Sequence, residues 1–210
     1  MTLSFAGRLH FVPPSVFANV ARAKASPVER TAAFAALCRI NALYMIAQAG
    51  SGHIGSSFSS LDIVSWLLCN EVRGGGRNDG DTYFSSKGHD VPGLYAALTG
   101  LGVIEFDLLH RLRRLGGLPG HPDVETPGVA ANTGSLGMGI AKAKGMVQAD
   151  RMAGIARTIY VLLGDGELQE GQNWESLPGA VNARMGEIIA IVDRNKIQSD
   201  TWVSKVLDLE

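Results

Sequence analysis

The chain has 210 residues, 19 Lys+Arg against 20 Asp+Glu for a formal net charge of −1, and 46% hydrophobic residues. That length suits one domain with a sizeable core, and the near-neutral balance gives no basic field to recruit nucleic acid or an anionic membrane. Its 26 glycines exceed the usual share of roughly 7% and fall in short turns, which suits backbone-lined sites better than a flexible linker.

Residues 1–25 read as a leading segment. It carries Arg8, Arg22 and Lys24 with no acidic residue before Glu29, a faint transit-peptide signal that Pro13-Pro14 interrupts. An ordinary leader of a cytoplasmic protein is the better reading. No apolar run approaches the roughly 20 residues needed to span a bilayer. Ser26-Pro27-Val28-Glu29 then marks a helix start, with serine as cap, proline at the first position and glutamate at the third. Ala33, Leu37, Ile40, Tyr44 and Ala47 recur at helical spacing until Gly50 stops the run. Cys38 and Cys69 lie in apolar, helix-like stretches and read as two buried free thiols in a reducing compartment.

His53 sits in a glycine- and serine-rich turn, GSGHIG, before an apolar helix expected to begin near Ser60; alone, it is as well explained as a surface turn residue. Residues 74–81 form a glycine-rich loop and Thr82 to Ser85 a short strand. SKGHDVPGLYAAL follows, with His89 at the entrance to a helix whose apolar face is Val91, Leu94, Tyr95 and Leu98 and whose end is Gly100 or Gly102. A helix N-terminus favours anions and keeps a nearby imidazole neutral, so His89 suits phosphate contact or hydrogen bonding. Ile104 to Leu115 predicts an amphipathic helix, with Arg111, Arg113 and Arg114 complementing its dipole on a solvated face.

Residues 116–139 lack periodicity, and a segment this long inside a compact domain is usually functional. It holds His121 between Gly120 and Pro122 and ends in Gly134-Ser135-Leu136-Gly137-Met138-Gly139, which opens a helix over 140–152. GMGIAK is not a dinucleotide fingerprint, because no strand precedes it and the third glycine is missing.

Ile159 to Leu163 and Ile188 to Val192 are apolar runs of strand length, separated by a crossover helix over 168–185. The unit predicts two buried parallel strands whose exits share one edge, the edge where open α/β sheets bind ligands. Asp165 and Asn195 would emerge there side by side, offering a carboxylate and an amide oxygen to one cation. Gly164 and Gly166 would let a phosphate approach the backbone. Mg²⁺ takes one or two protein oxygens and completes its octahedron with phosphate and water, so the pattern suits a metal-held diphosphate. Gly-Asp-Gly alone is common as a structural turn; Asp-Arg-Asn-Lys at the second strand end strengthens the reading.

GDGELQEG followed by IVDRNKIQ resembles the thiamine-diphosphate-binding signature of transketolases and their split N-terminal subunits. SGHIG, SKGHDVPGLYAAL and LPGHPD are similar to three further transketolase motifs in the same order, so the resemblance runs from Ala32 to Asp200. It implies an α/β three-layer sandwich, a mainly parallel sheet flanked by helices, over residues 26–210. This would be the diphosphate half of the cofactor fold, ending short of the family's further helix, strand and active-site histidine. The resemblance further implies Mg²⁺ on Asp165, the Asn195 side chain and the Ile197 carbonyl. The thiamine diphosphate would lie against His89, Gly134, Leu136, Gly164, Asp165, Gly166 and Asn195, with Gly134 and Leu136 at its aminopyrimidine.

In the same resemblance His53 and His121 bind ketose oxygens and assist proton transfer, and His89 lies between the diphosphate and the substrate channel. Glu170 and Glu175 match carboxylates that cross a subunit interface in a buried, proton-sharing cluster. The implied enzyme moves a two-carbon ketol unit from a ketose to an aldose, and only with a pyrimidine-binding C-terminal subunit that supplies the activating glutamate, in an α2β2 assembly. Ile54, Ser135 and Met138 replace the family's proline, proline and glutamine, which changes the donor pocket. Two alternatives stand beside this: two-carbon transfer from pyruvate or an unusual sugar, and a non-catalytic cofactor-binding or regulatory subunit.

Overall fold

The computed structural model describes residues 9–75 and 80–207; Arg8, much of the 74–81 loop and the last three residues lie outside them. Helix α1 (Pro14–Arg22) leads into α2 (Pro27–Ala49), with the rings of Phe17 and Phe34 edge to face at 5.3 Å. The start of α2 is the expected capping box: Ser26 Oγ accepts from Glu29 N at 3.2 Å, and Glu29 Oε2 accepts from Ser26 N at 2.8 Å. Gly50, left-handed at φ 73°, ends the helix. Contrary to the expectation from sequence, α2 is long and apolar enough to cross a bilayer by length and composition. Here it packs on α3 and α4 and buries Phe34, Cys38, Ala42 and Met45.

Helix α3 (Ile54–Trp66) begins at His53, several residues before the expected start. The serines that suggest a turn are satisfied inside the helix: Ser57 Oγ donates to the His53 carbonyl at 2.8 Å and Ser60 Oγ to that of Ser56 at 2.9 Å. Their small size also lets α4 (Val91–Gly100) approach, since a Cβ on Gly93 would lie 3.0 Å from the Ser57 carbonyl oxygen. A π-helical turn, Leu67–Glu71, extends α3. It leaves Cys69 exposed while Cys38 is buried, so only one of the two thiols is covered as expected.

The amphipathic helix expected over 104–115 does not form. A 3-10 turn, Phe106–Arg111, is followed by a bridge between Leu112 and Leu118, in which Arg113 N donates to the Leu118 carbonyl at 2.7 Å and Leu118 N to that of Arg111 at 3.0 Å. Burial of Leu109, Leu112 and Leu118 outweighs continued helix and turns the chain back on itself, with Arg113 left-handed at φ 56°.

Strands β1 (Thr82–Ser85), β2 (Ile159–Gly164) and β3 (Ile188–Asp193) form a parallel sheet in that order, with Gly164 opposite Asp193. Alternation along β2 divides the core. Ile159, Val161 and Leu163 join Phe84 and the Ile140, Ala143 and Val147 of α5 (Gly139–Ala153), whereas Tyr160 and Leu162 face the cluster of α2, α3 and α4. Helices on both faces give the three-layer α/β sandwich that the sequence predicts.

The crossover expected as one helix over 168–185 is a 3-10 turn, Gly166–Gln169, and then α6 (Gly171–Asn182). Strand β3 is not buried as expected: Ile189 is 41% and Val192 39% exposed, whereas β1, the other edge strand, is buried along its whole length, so helices cover one edge of the sheet and leave the other partly open. A two-residue hairpin, β4 (Ile197–Gln198) with β5 (Thr201–Trp202), and a single turn α7 (Val203–Val206) follow.

Candidate functional site

All three parallel strands end at one edge, and the polar residues after them meet there. Asp165 follows β2; its Oδ1 accepts from Gly166 N at 2.9 Å and its Oδ2 from Lys196 N at 2.5 Å, so the loop after β3 closes on its carboxylate. In that loop Asn195 Oδ1 accepts from Ile197 N at 2.9 Å, and Asn195 Nδ2 donates to Asp193 Oδ2 at 3.3 Å. The structure thus places Asp165, Asn195 and Ile197 at the same strand edge. A carboxylate, an amide oxygen and a main-chain carbonyl are oxygen donors of the kind Mg²⁺ takes alongside phosphate and water.

Gly164 and Gly166 lie at this edge for a different reason from the one expected. A Cβ on Gly164 would sit 2.9 Å from Lys87 Cδ, and one on Gly166 would sit 2.8 Å from Gln198 Cβ. Their N–H groups are also engaged, by Glu167 Oε2 at 3.0 Å and by Asp165 Oδ1. These glycines admit neighbouring side chains across the strand exit, and both of their N–H groups are bonded within the chain.

A buried polar layer that sequence reasoning missed supports the edge. Lys87, 2% exposed, reaches Asp193 Oδ2 at 2.7 Å and lies 3.6 Å from Asp90 Oδ2, which accepts from Ser85 Oγ at 2.9 Å. Ser59 Oγ also donates to Asp193 Oδ2, at 2.6 Å. Burial pushes the Asp193 carboxyl up, and the Lys87 ammonium with the Lys87, Ser59 and Asn195 donors more than offsets it, so the net shift is downward. Glu167 is buried and accepts from Ser86 Oγ, from Gly137 N at 2.9 Å and from Gly164 N. Burial raises its pKa, and the three donors recover only part of that. One signal was available: Lys87 is the sole Lys or Arg between residues 82 and 110, and it stands two positions past a strand.

The three expected histidines converge. The rings of His53, at the N-cap of α3, and His89, at the mouth of α4, are 5.1 Å apart. His121 packs on Gly134, where a Cβ would lie 2.7 Å from its Cδ2, and its carbonyl accepts from Tyr95 Oη at 3.2 Å. Burial lowers the pKa of His89, with His53 and Lys87 acting the same way against Asp90. Burial also lowers that of His121, followed by the charges of Arg113 and His53. Both shifts favour the neutral imidazole, which donates at one nitrogen and accepts at the other.

Gly134, at φ 134°, and the 37% exposed Leu136 lie in the turn that Glu167 ties down at Gly137. The hydroxyls of Thr133, in that turn, and of Ser56, beside His53 in α3, are buried with no hydrogen-bond partner among the described residues. Two orphaned donors, one in the first turn of α3 and one in the turn before Gly134, suit a polar ligand near the histidines. Glu170, whose Cβ a side chain at Gly137 would meet at 2.7 Å, and Glu175 in α6 are both exposed. The buried carboxylate cluster expected for them is not formed within this chain.

Residues 30–209 match the family described as transketolase, thiamine diphosphate binding domain. The chain is 39% identical over 171 residues to the 6-deoxy-6-sulfo-D-fructose transketolase subunit SqwG of Clostridium sp. (strain MSTE9), covering 79% of this chain and 62% of that one. It is 39% identical over 162 residues to an apulose-4-phosphate transketolase subunit of Actinobacillus succinogenes, covering 74% and 59%. The chain thus spans about 60% of the length of these curated relatives. Among solved structures, the transketolase of Campylobacter jejuni superposes with a TM-score of 0.74 at 31% identity, over 83% of this chain and 30% of that one.

Proposed function

This chain belongs to the transketolase thiamine-diphosphate-binding domain family, and from that premise we propose that it is the diphosphate-binding subunit of a two-subunit transketolase-like enzyme. The observation that carries the reading is the closure of the Asn195 loop on Asp165, through Lys196 N at 2.5 Å. In this reading Asp165, the Asn195 amide oxygen and the Ile197 carbonyl hold Mg²⁺, and the ion holds the cofactor's diphosphate. When bound, thiamine diphosphate supplies the nucleophilic centre and electron sink for breaking a carbon–carbon bond beside a carbonyl.

The chain's own residues bind and orient. Leu136 and the Gly134 backbone support the aminopyrimidine. His53 and His121 hydrogen-bond the hydroxyls of a ketose donor and move protons at its oxygens. His89 bridges from the diphosphate side to the substrate channel. Three histidines around one opening match a polyhydroxylated donor better than pyruvate, and the reaction we infer is transfer of a two-carbon ketol unit to an aldose. The names of the relatives, transketolase subunits for a sulfonated fructose and a phosphorylated apulose, support a sugar carrying an anionic group.

The word subunit in those names, and the exposure of Glu170, Glu175 and Leu136, support a partner. In our reading it is a pyrimidine-binding chain that supplies the activating glutamate in an α2β2 assembly, with no nucleic acid or membrane involved. A cytoplasmic location belongs to the same proposal and agrees with the unpaired Cys38 and Cys69.

Calorimetric titration of thiamine diphosphate with Mg²⁺ into the assembled subunits tests the site. Asp165→Ala and Asn195→Ala are expected to weaken binding at least 10-fold each, and native affinity in both variants would sink the reading. Ketol transfer that appears only when both subunits are mixed supports the enzymatic part; silence in the mixture refutes it.

A further inference from the structure

The buried Lys87–Asp193 pair has no part in the reading above, although it lies directly beneath the loop that holds the cation. We propose that Lys87 and Asp193 are positioning residues that fix which way round the Asn195 carboxamide faces, and so present its oxygen to Mg²⁺. The proposal rests on the reading that this loop holds a divalent ion.

A carboxamide has a donor end and an acceptor end, and only the oxygen ligates a cation. Here each end has one compatible neighbour: Nδ2 faces Asp193 Oδ2 at 3.3 Å, and Oδ1 faces Ile197 N at 2.9 Å. Turning the amide over would set Oδ1 against a carboxylate and an NH₂ against an N–H, two repulsive contacts in place of two bonds. Asp193 enforces that choice only while its carboxylate is held still. Lys87 Nζ at 2.7 Å and Ser59 Oγ at 2.6 Å hold it, on the same oxygen that receives Asn195.

Lys87 starts at the exit of β1 and has to cross the exit of β2 to reach β3. It does so over Gly164, where a Cβ would meet its Cδ at 2.9 Å. Asp90, 3.6 Å away and held by Ser85, steadies the ammonium from the other side. One side chain from the first strand therefore sets an amide on the loop after the third. Partners of this kind, behind a metal ligand, change metal affinity by about 10–100-fold when removed.

The test is Mn²⁺ binding to the full chain, followed by electron paramagnetic resonance with inorganic pyrophosphate as the diphosphate probe, beside thermal melting of each variant. Asp193→Asn and Lys87→Met are expected to raise the Mn²⁺ dissociation constant about 10-fold. Ser59→Ala, half-buried and lacking only a hydroxyl, should raise it about 3-fold, the worth of one net hydrogen bond. In an Asn195→Asp background both ends of the side chain are oxygen, so Asp193→Asn should cost no further affinity.

Lower melting temperatures with native Mn²⁺ affinity would show a merely structural ion pair and overturn the proposal, as would a full 10-fold loss in the Asn195→Asp background. If Asp193→Asn and Lys87→Met fail to fold, Ser59→Ala decides: native affinity there overturns it. A weakened Asp165→Ala beside a native Asp193→Asn would refute this inference while leaving the metal site intact. Native binding by Asp165→Ala, or none by the native chain, would remove the metal reading and this inference with it.

Discussion

Replacing Gly88 by alanine tests whether the two cofactor-side turns are packed backbone to backbone. Gly88 is left-handed at φ 67°, and its Cβ would lie 2.5 Å from Gly134 N and 2.7 Å from both Gly134 Cα and the Thr133 carbonyl carbon. No flexible side chain can yield there; the 133–134 backbone itself has to move. Gly154 is the matched control, at φ 70° with nothing within 4 Å of its Cβ position. Both substitutions incur the left-handed penalty of about 1–2 kcal/mol. Only Gly88→Ala adds overpacking, about 1–3 kcal/mol. For a chain of this size each kcal/mol lowers the melting temperature by roughly 2–4 °C, so Gly88→Ala should melt about 6 °C below Gly154→Ala. Scanning calorimetry of the two purified variants measures it. Equal melting temperatures would refute the claimed backbone contact between the Gly88 and Gly134 turns.

Asp81 accepts from Arg73 N, Nε and Nη2 and from Thr158 N, and the Arg73 guanidinium leads in holding its carboxyl down at about 2 against an ordinary 3.8. A depressed carboxyl stabilises fully above the unfolded value and loses that contribution as pH falls through the folded one. The gap in melting temperature between the native chain and Asp81→Asn should therefore narrow from about pH 4 to about pH 2, and a constant gap would contradict the pairing. Glu167→Gln keeps an oxygen for only one of the Gly137 and Gly164 N–H donors and sets its NH₂ against the other; chemical denaturation should show a loss of about 1–3 kcal/mol, and none would mean the carboxylate is not the acceptor for both. In the assembled enzyme His121→Ala should lower kcat/KM about 100-fold without changing the cofactor dissociation constant, and an equal loss in both would place His121 at the cofactor instead.

Much of this arrangement can be read from residue order, because local rules and the global fold agree. The capping box at Ser26, the strand at 82–85 and the acidic exits of β2 and β3 follow from short-range chemistry that tertiary packing leaves alone. Where packing overrides propensity, sequence misleads. The serines of α3 look like turn formers and are spacers that let α4 come close; the 104–115 stripe looks helical until three leucines fold it into a loop. Strand β3 has the composition of a covered strand, yet its Ile189 and Val192 are exposed. The Lys87–Asp193 and Ser86–Glu167 contacts join residues 106 and 81 positions apart. No periodicity encodes such a pairing; only the register of three parallel strands places those side chains together.

That register also dictates an order of events. Ser85 finds its ladder partner at Leu162, more than seventy positions later, whereas β2 and β3 pair across 29 positions, as Ile159 with Ile188 shows. Non-local ladders close late, since loop entropy opposes them until the intervening chain is ordered. A folding chain should pair β2 with β3 before it adds β1, so the residues that follow β1 reach the shared strand edge only in the final step. Cofactor binding would then act chiefly as a latch on the finished state, slowing its opening without hastening its formation.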